Sequence, residues 1–400
     1  MISLRRGRRK WVVFLFGTVY FCLLLHWNSL PHPFYMIETI YKNHSNDVKA
    51  GFENGPGECG CSDENGEIFD FCYRLPQNRT VRGMRFSCKH LPILKSLGLL
   101  NKNQIPFVAA KIEKPAFVTA FSRNRRHDAH KLIASIRDVF EHQQRIIVYN
   151  LGGIVRSEFE SYGIVDFREF NLTKFPEYVG SLDEFRWRPL IIAEVLLEYD
   201  VVWYMDPSIT FTKNNLSHVY ELVNCRQYVV DRPPLQSAAE RDWRELNTPL
   251  ESGWDMERWQ NDVKECRKSA FLLHQFTGHG IYTATSPSVY KFIPTEYKEI
   301  KKTKAKMYEA GFALIVKTLD AIEQILKWEV LCALEADCMA GNHVEGWNCE
   351  LKDDRYKEPP SCHRYDQSVL NVLLANNRWY DKRYYTSEIV DFFKFQRTHA

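Results

Sequence analysis

At 400 residues with 45% apolar side chains, the chain is long enough for one large or two ordinary domains with a buried core, which excludes a disordered protein. Its 53 Lys and Arg against 50 Asp and Glu leave a formal charge of only +3, and the densest basic cluster sits at the extreme N-terminus. No nucleic-acid-binding surface is expected.

That cluster, RRGRRK (Arg5 to Lys10), precedes WVVFLFGTVYFCLLLHW (Trp11 to Trp27), a run free of Asp, Glu, Lys and Arg. It reads as a signal-anchor over residues 11–30, with a cytoplasmic tail at 1–10 and the rest of the chain lumenal, because positive charge stays on the cytoplasmic side. This is a single-pass type II topology, and the shortness of the span suits Golgi or endoplasmic reticulum membranes. A cleaved signal peptide is the competing reading, but HWNSLPHPF offers no small-x-small site.

Residues 31–110 read as a lumenal stem with a small stapled module, turn-rich at NGPGECGCSDENG. Cys22 lies in the span. The ten cysteines beyond it fall into a stem group (Cys59, Cys61, Cys72, Cys88) and a later group (Cys225, Cys266, Cys332, Cys338, Cys349, Cys362). Two self-contained disulfide sets fit an oxidising lumen better than a zinc site, because paired C-x-x-C spacing is missing; the connectivity stays open. Acceptors of the N-x-S/T type at Asn43, Asn78, Asn171 and Asn215 agree with a lumenal glycoprotein.

From 111 to 400 the pattern alternates. AFVTAF is a buried strand, RHDAHKLIASIRDVF an amphipathic helix, RIIVYNLG a second strand and YGIVDFREF a third. RPLIIAEVLLEY follows as a helix, then VVWYM as a strand ending at Asp206. Such alternation predicts an α/β domain with a mostly parallel, Rossmann-like sheet and helices on both faces. GHGIYTAT reads as a strand, AGFALIVKTLDAIEQILKWEVLCAL as one long helix, and RYDQSVLNVLLANNRWY as the last helix.

Asp206 is the first candidate site residue. An ionised carboxylate in so apolar a run costs several kcal/mol unless a cation, a metal or hydrogen-bond donors meet it. Its place at a strand's carboxyl end is where ligands gather in such sheets. The bland alternative is a strand end capped by backbone amides.

The helix PLIIAEVLLEY followed by a strand closing on MDPS resembles the part of GT-A glycosyltransferases that ends in their metal-binding Asp-x-Asp. The later HRYDQSVLNVL resembles the Asp-Gln-x-x-x-Asn segment of many retaining members. Together FVTAFS, FRWRPLIIAE, WYMDPSI, GHGIYTAT and YDQSVLN resemble an uncharacterised animal family of type II membrane proteins with that fold. The resemblance covers Ala116 to the C-terminus and implies a GT-A-like catalytic domain using a nucleotide-diphosphate sugar donor and a glycan or glycoprotein acceptor. It implies Asp206 as a ligand of a divalent metal such as Mn2+ or of the ribose, and Arg186 and Arg188 as cationic partners of the diphosphate. It also sets Thr119, Ala120 and Phe121 near the nucleotide. Where the superfamily has two acids, this chain has Asp206-Pro207-Ser208, and one carboxylate with the Ser208 hydroxyl is a poorer set for a hard cation.

His279, between two glycines, and His363 are candidates for a metal or the acceptor, with a structural role as the alternative. Asp366 and Gln367 either touch a sugar hydroxyl or simply open a helix, where an acid favours the N-terminus. Trp243, Trp254 and Trp259 offer rings for stacking on sugars, although most aromatics are core. Two functional classes remain: a lumenal glycosyltransferase, and a non-catalytic GT-A-fold protein that binds glycans or forms a complex. A disulfide-rich adhesion module is disfavoured by the alternating helices.

Overall fold

The computed structural model describes residues 57–101, 112, 115–225, 255–266, 268–341, 346, 348–351 and 353–396. The expected tail and anchor, Asn43, Trp243 and Trp254 lie outside them. Among the described residues no helix is long and apolar enough to cross a membrane.

The strands are β1 (Gly60–Ser62), β2 (Ile68–Asp70), β3 (Ala116–Phe121), β4 (Ile146–Asn150), β5 (Val165–Glu169), β6 (Val201–Met205), β7 (Ile209–Phe211), β8 (Phe271–Leu273), β9 (Phe276–Gly280), β10 (Lys306–Tyr308), β11 (Phe312–Val316) and β12 (Phe393–Phe395). The helices used below are α1 (Leu91–Ser96), α2 (Arg126–Val139), α3 (Trp187–Val195), α4 (Ser217–Asn224), α5 (Met256–Glu265), α6 (Pro287–Phe292), α7 (Lys327–Leu334) and α8 (Asp366–Asn377).

The central sheet has the order β5-β4-β3-β6-β11-β8. The first four strands are mutually parallel, β11 runs against both of its neighbours, and β8 therefore runs with β6. The sheet is mixed: it is mostly parallel, as expected, with β11 alone reversed. Side chains alternate across the pleat. Val118, Ala120, Ile147, Val202 and Tyr204 join one buried cluster, while Phe117, Phe121, Val148, Trp203 and Met205 join another on the opposite face. The first cluster also takes in residues of α3, α7 and α8, and the second takes in residues of α2 and α4.

The apolar run from Gly311 to Leu334 is not one helix. Phe312–Val316 pairs as β11 between β6 and β8, and the helical part begins only after Thr318, whose hydroxyl accepts from Ala321 N. It passes through a π-helical stretch, Ile322–Leu326, into α7. A fully buried strand and a buried helix are equally apolar, so periodicity could not separate them. GHGIYTAT is likewise strand only as far as Gly280, after which Tyr282–Ala284 is a 3-10 turn.

The cysteines pair within the two groups: Cys59–Cys72 and Cys61–Cys88 near the start, then Cys225–Cys266, Cys332–Cys338 and Cys349–Cys362. Residues 58–231 and 240–400 fall in one compact unit, so the first cysteine group lies in the same unit as the sheet. Tyr73 meets Trp328 edge-on at 5.4 Å, and Phe86 stacks on Phe292 at 5.2 Å. Poor periodicity hid this, because the segment is folded by turns and staples and lends single side chains to a core built elsewhere.

Candidate active site

β3 neighbours both β4 and β6, so chain order reverses there, and the carboxyl ends of β3 and β6 flank the crevice that such a reversal opens. The register Val118↔Tyr204 brings Asp206 level with the end of β3. A cavity of about 870 Å³ lined by Ala116, Arg145, Asp166 and Tyr199 lies at the amino ends, the opposite edge of the sheet.

Asp206 stands two residues after Tyr204 and on the same side of the pleat. Its carboxylate accepts from Arg188 Nη2 at 2.9 and 3.0 Å and from the Tyr204 hydroxyl at 3.0 Å. A quarter of its side chain remains exposed, against 5% for Arg188 and 2% for Asp366. Its backbone N donates to Gly311 O at 2.7 Å. A Cβ on Gly311 would lie 2.3 Å from Asp206 Oδ2, so only glycine lets the two chains approach this closely.

Arg188, from the first turn of α3, holds Asp366 through Nη1 as it holds Asp206 through Nη2. Its guanidinium also lies over the rings of Phe185, Trp187 and Tyr204 at 4.7, 5.5 and 5.4 Å. Burial works against its charge, but Asp206 and Asp366 outweigh burial and hold its pKa well above the usual value. Asp366 is pushed up to about 6 by burial; Arg188 opposes that shift and Asp206 adds to it. Glu329, on α7, is raised well above a normal glutamate by burial and by Asp366. Its Oε2 meets no partner among the described residues. Two non-glycine residues with positive φ, Phe185 at 55° and Tyr365 at 47°, lead into Arg186–Arg188 and Asp366. Backbone strain of roughly 1–3 kcal/mol each thus flanks this ion cluster.

Gln367 and Asn371, one turn apart on α8, hold the chain between β10 and β11. Asn371 accepts from Tyr308 N at 2.9 Å and donates to Tyr308 O at 2.8 Å, and Gln367 Oε1 accepts from Ala310 N at 3.2 Å. They fix the loop that carries Gly311 and so position Asp206 indirectly.

Several expected site residues are placed elsewhere. Thr119 and Phe121 lie with Phe117 on the opposite face of the pleat from Tyr204, and both are buried. Arg186 is 1% exposed; its Nη groups donate to the carbonyls of Ala333, Glu335 and Ala336 at 2.8–2.9 Å, so it ties α7 to the turn that follows rather than facing a phosphate. His363 is buried with both ring nitrogens used, Nε2 on Met339 O at 2.8 Å and Nδ1 on Ser286 N at 3.2 Å, which removes it as a metal ligand. His279 lies on β9 with Nδ1 on Gly280 O, and burial lowers its pKa. The glycine after it makes room for Tyr356 instead of a ligand, since a Cβ there would meet that ring at 2.7 Å. Ser208 sits half-buried in the turn after Asp206. Trp259 donates to His218 O at 2.6 Å.

The residues present do not fit a resident divalent ion. Asp206 is taken up by Arg188 and Tyr204, Asp366 is sealed against Arg188, and only the Ser208 hydroxyl is added nearby. The one group of three potential ligands among the described residues, Cys59, Asp70 and Cys72, includes two disulfide-bonded sulfurs. Arg188 is therefore the partner Asp206 needs. Sequence reasoning missed Tyr204 and Glu329, although Glu329 in KWEVLCAL poses the same question of a lone acid in an apolar run.

Residues 59–193 match a family described as "Protein of unknown function (DUF1647)", which spans less than half of the chain. No curated protein matches. Among solved structures, the chain is similar to a WbbM bifunctional glycosyltransferase in apo form, at 11% identity and TM-score 0.32 over 70% of this chain and 40% of that one. It is similar to the galactosyltransferase LgtC in complex with donor and acceptor sugar analogs, at 13% identity and TM-score 0.28 over 64% and 70% of the two chains. It is also similar to mouse xyloside xylosyltransferase 1 in apo form, at 9% and 0.34 over 67% and 84%. The chain thus spans about two-fifths of the WbbM structure.

Proposed function

We propose that the protein is a lumenal glycosyltransferase-like enzyme that moves a sugar from a nucleotide-diphosphate donor to a glycan or glycoprotein. The observation that carries this reading is Asp206: a part-exposed carboxylate at the chain-order reversal of an α/β sheet, held in place by Arg188, Tyr204 and Gly311. The end of β3 runs into Arg123, Arg125 and Arg126, all exposed at the start of α2; Arg125 pairs with Asp128 at 3.3 Å and Arg126 with Glu158 at 3.4 Å, while the N-terminus of this helix supports a phosphate through its dipole. The single-pass type II anchor and a Golgi or endoplasmic reticulum location are part of the proposal, supported by five disulfides among the described cysteines.

The test is calorimetric titration of nucleoside diphosphates and a donor-panel hydrolysis screen, wild type against Asp206→Asn. The amide keeps the shape and leaves Arg188 its bond to Asp366, so thermal stability should change little. Binding of the preferred nucleotide should weaken at least about tenfold, roughly 1.4 kcal/mol. Equal binding by the two proteins removes Asp206 from the site. A second reading, a non-catalytic glycan-binding relative, is favoured by the sealing of Asp366, which leaves one open acid in the cluster. It predicts nucleotide binding or glycan binding without hydrolysis of any donor.

A further inference from the structure

Two basic stretches of the chain meet at the other end of α8 from Asp366. Residues 71–89 hold five basic side chains and no acid, and residues 291–304 hold five lysines against Glu296 and Glu299, in a chain whose formal charge is only +3. Met84 N donates to Lys291 O at 2.8 Å and Phe86 lies against Phe292, which joins the two stretches. Gln77 donates to Asn376 O and the Thr295 hydroxyl to Asn376 Oδ1 at 2.7 Å, so both also meet the C-terminal turn of α8. That helix runs 12 residues from Asp366. At 1.5 Å per residue, the basic face therefore lies roughly 18 Å along it from the ion cluster.

Some of these charges are answered locally. Arg74 pairs with Asp70 at 3.0 Å and Arg82 with Glu58, while Lys302 and Lys304 share the carboxylate of Glu299 at 2.5 and 2.7 Å. The side chains of Arg85, Lys291 and Lys298 are exposed and make no ion pair or hydrogen bond among the described residues. Lys301 is held by rings instead of an acid: its Nζ lies 4.3 and 4.2 Å over Tyr282 and Tyr297, whose hydroxyls are joined at 2.9 Å. Tyr297 stays 49% exposed, and Trp379, whose carbonyl accepts from Lys304 Nζ at 3.1 Å, stays 56% exposed. Open cations thus stand beside open aromatic rings, and their field is spread along a surface rather than focused in a cavity.

We propose that Arg85, Lys291, Lys298 and Lys301 form a docking face for a polyanionic glycan, a chain bearing sulfate or uronate groups, with Tyr297 and Trp379 offering ring faces to its sugars. Compact charges strung along a surface between aromatic rings match a linear chain whose anionic groups repeat. The choice of a glycan over a nucleic acid rests on the lumenal placement proposed above. Under the transferase reading, the ligand is an acidic polymeric acceptor long enough to pass from this face to Asp206.

The experiment titrates the full-length protein, in a nonionic detergent, with a heparin fragment, a hyaluronan fragment and a single-stranded DNA oligonucleotide of matched charge. Saturable binding of the heparin fragment is expected, falling steeply as salt rises. It should weaken at least about tenfold in Lys291→Glu combined with Lys298→Glu. Lys174→Glu combined with Lys264→Glu, on exposed lysines of other elements, makes the same change in net charge and should bind like wild type. Binding of the sulfated fragment alone identifies the anion as sulfate, and binding of hyaluronan as well identifies a carboxylate as sufficient. The basic N-terminal cluster is intact in every variant, so binding that is equal in wild type and the first variant belongs to that cluster and overturns the proposal. A loss no larger than that of the charge-matched control, absence of saturable binding of both glycans, or tighter binding of the oligonucleotide overturns it too. Failure of the donor-hydrolysis screen alone leaves it standing and counts against the transferase reading only.

Discussion

Arg188 answers the question that Asp206 raises in the sequence, but it also satisfies Asp366, and one guanidinium between two carboxylates leaves the trio one negative charge in excess. Burial first, and then the Asp366 carboxylate, raise the pKa of Glu329 well above the usual glutamate value, against the pull of Arg188. The sign of the pH effect follows. The unfolded chain loses this proton near the ordinary glutamate value of about 4.3, whereas the folded protein holds it to higher pH. Stability from this group is therefore complete below that pH and falls as pH rises toward the folded value, by about 1.4 kcal/mol per unit. Asp366 acts in the same direction between its unfolded value and about 6. Glu329→Gln mimics the neutral acid, so its melting temperature should exceed that of wild type by a margin that grows from pH 4 to pH 8. A margin independent of pH, measured by thermal denaturation, would show that Glu329 is ionised in the folded protein.

At the scale of elements, α8 is a scaffold helix whose polar residues face inward to hold the β10–β11 connection. Asn371→Ala leaves both polar groups of Tyr308 without their partner and should cost about 1–3 kcal/mol for each buried group stranded. Amide exchange should speed first at Tyr308 and Ala310. Uniform destabilisation with no local change would deny α8 this role. The strands β3 to β6 and the helices around them are legible because apolar runs alternate with amphipathic ones and are punctuated by glycine and proline. Asp206 is legible for the same reason, as a charge where the pattern allows none. His363 misleads because a histidine in a promising motif says nothing about whether backbone groups already claim its nitrogens. Arg186 and Arg188, two positions apart, show the limit well: nothing in FRWRP distinguishes the one that binds carbonyls from the one that binds Asp206.

Across the whole molecule, Asn78, Asn171 and Asn215 are all exposed, and in each the Oδ1 accepts the hydroxyl at the +2 position, Thr80, Thr173 and Ser217, at 2.6–2.7 Å. With five disulfides this predicts that all three carry N-linked glycans in the cell. Release by a peptide N-glycosidase in oxygen-18 water hydrolyses each glycosylated asparagine to a labelled aspartate that mass spectrometry should detect, and each Asn→Gln should remove one step of electrophoretic mobility. Three unmodified asparagines would sink the lumenal placement. The stapled layer that carries Asn78 has a practical bearing on how the protein is cut. Tyr73 and Phe86 roof Trp328, the neighbour of Glu329, so a fragment beginning at residue 111 would bare an aromatic surface on the order of several hundred Å² beside a buried acid. Such a fragment should aggregate, and the smallest soluble piece of this chain has to begin ahead of Cys59.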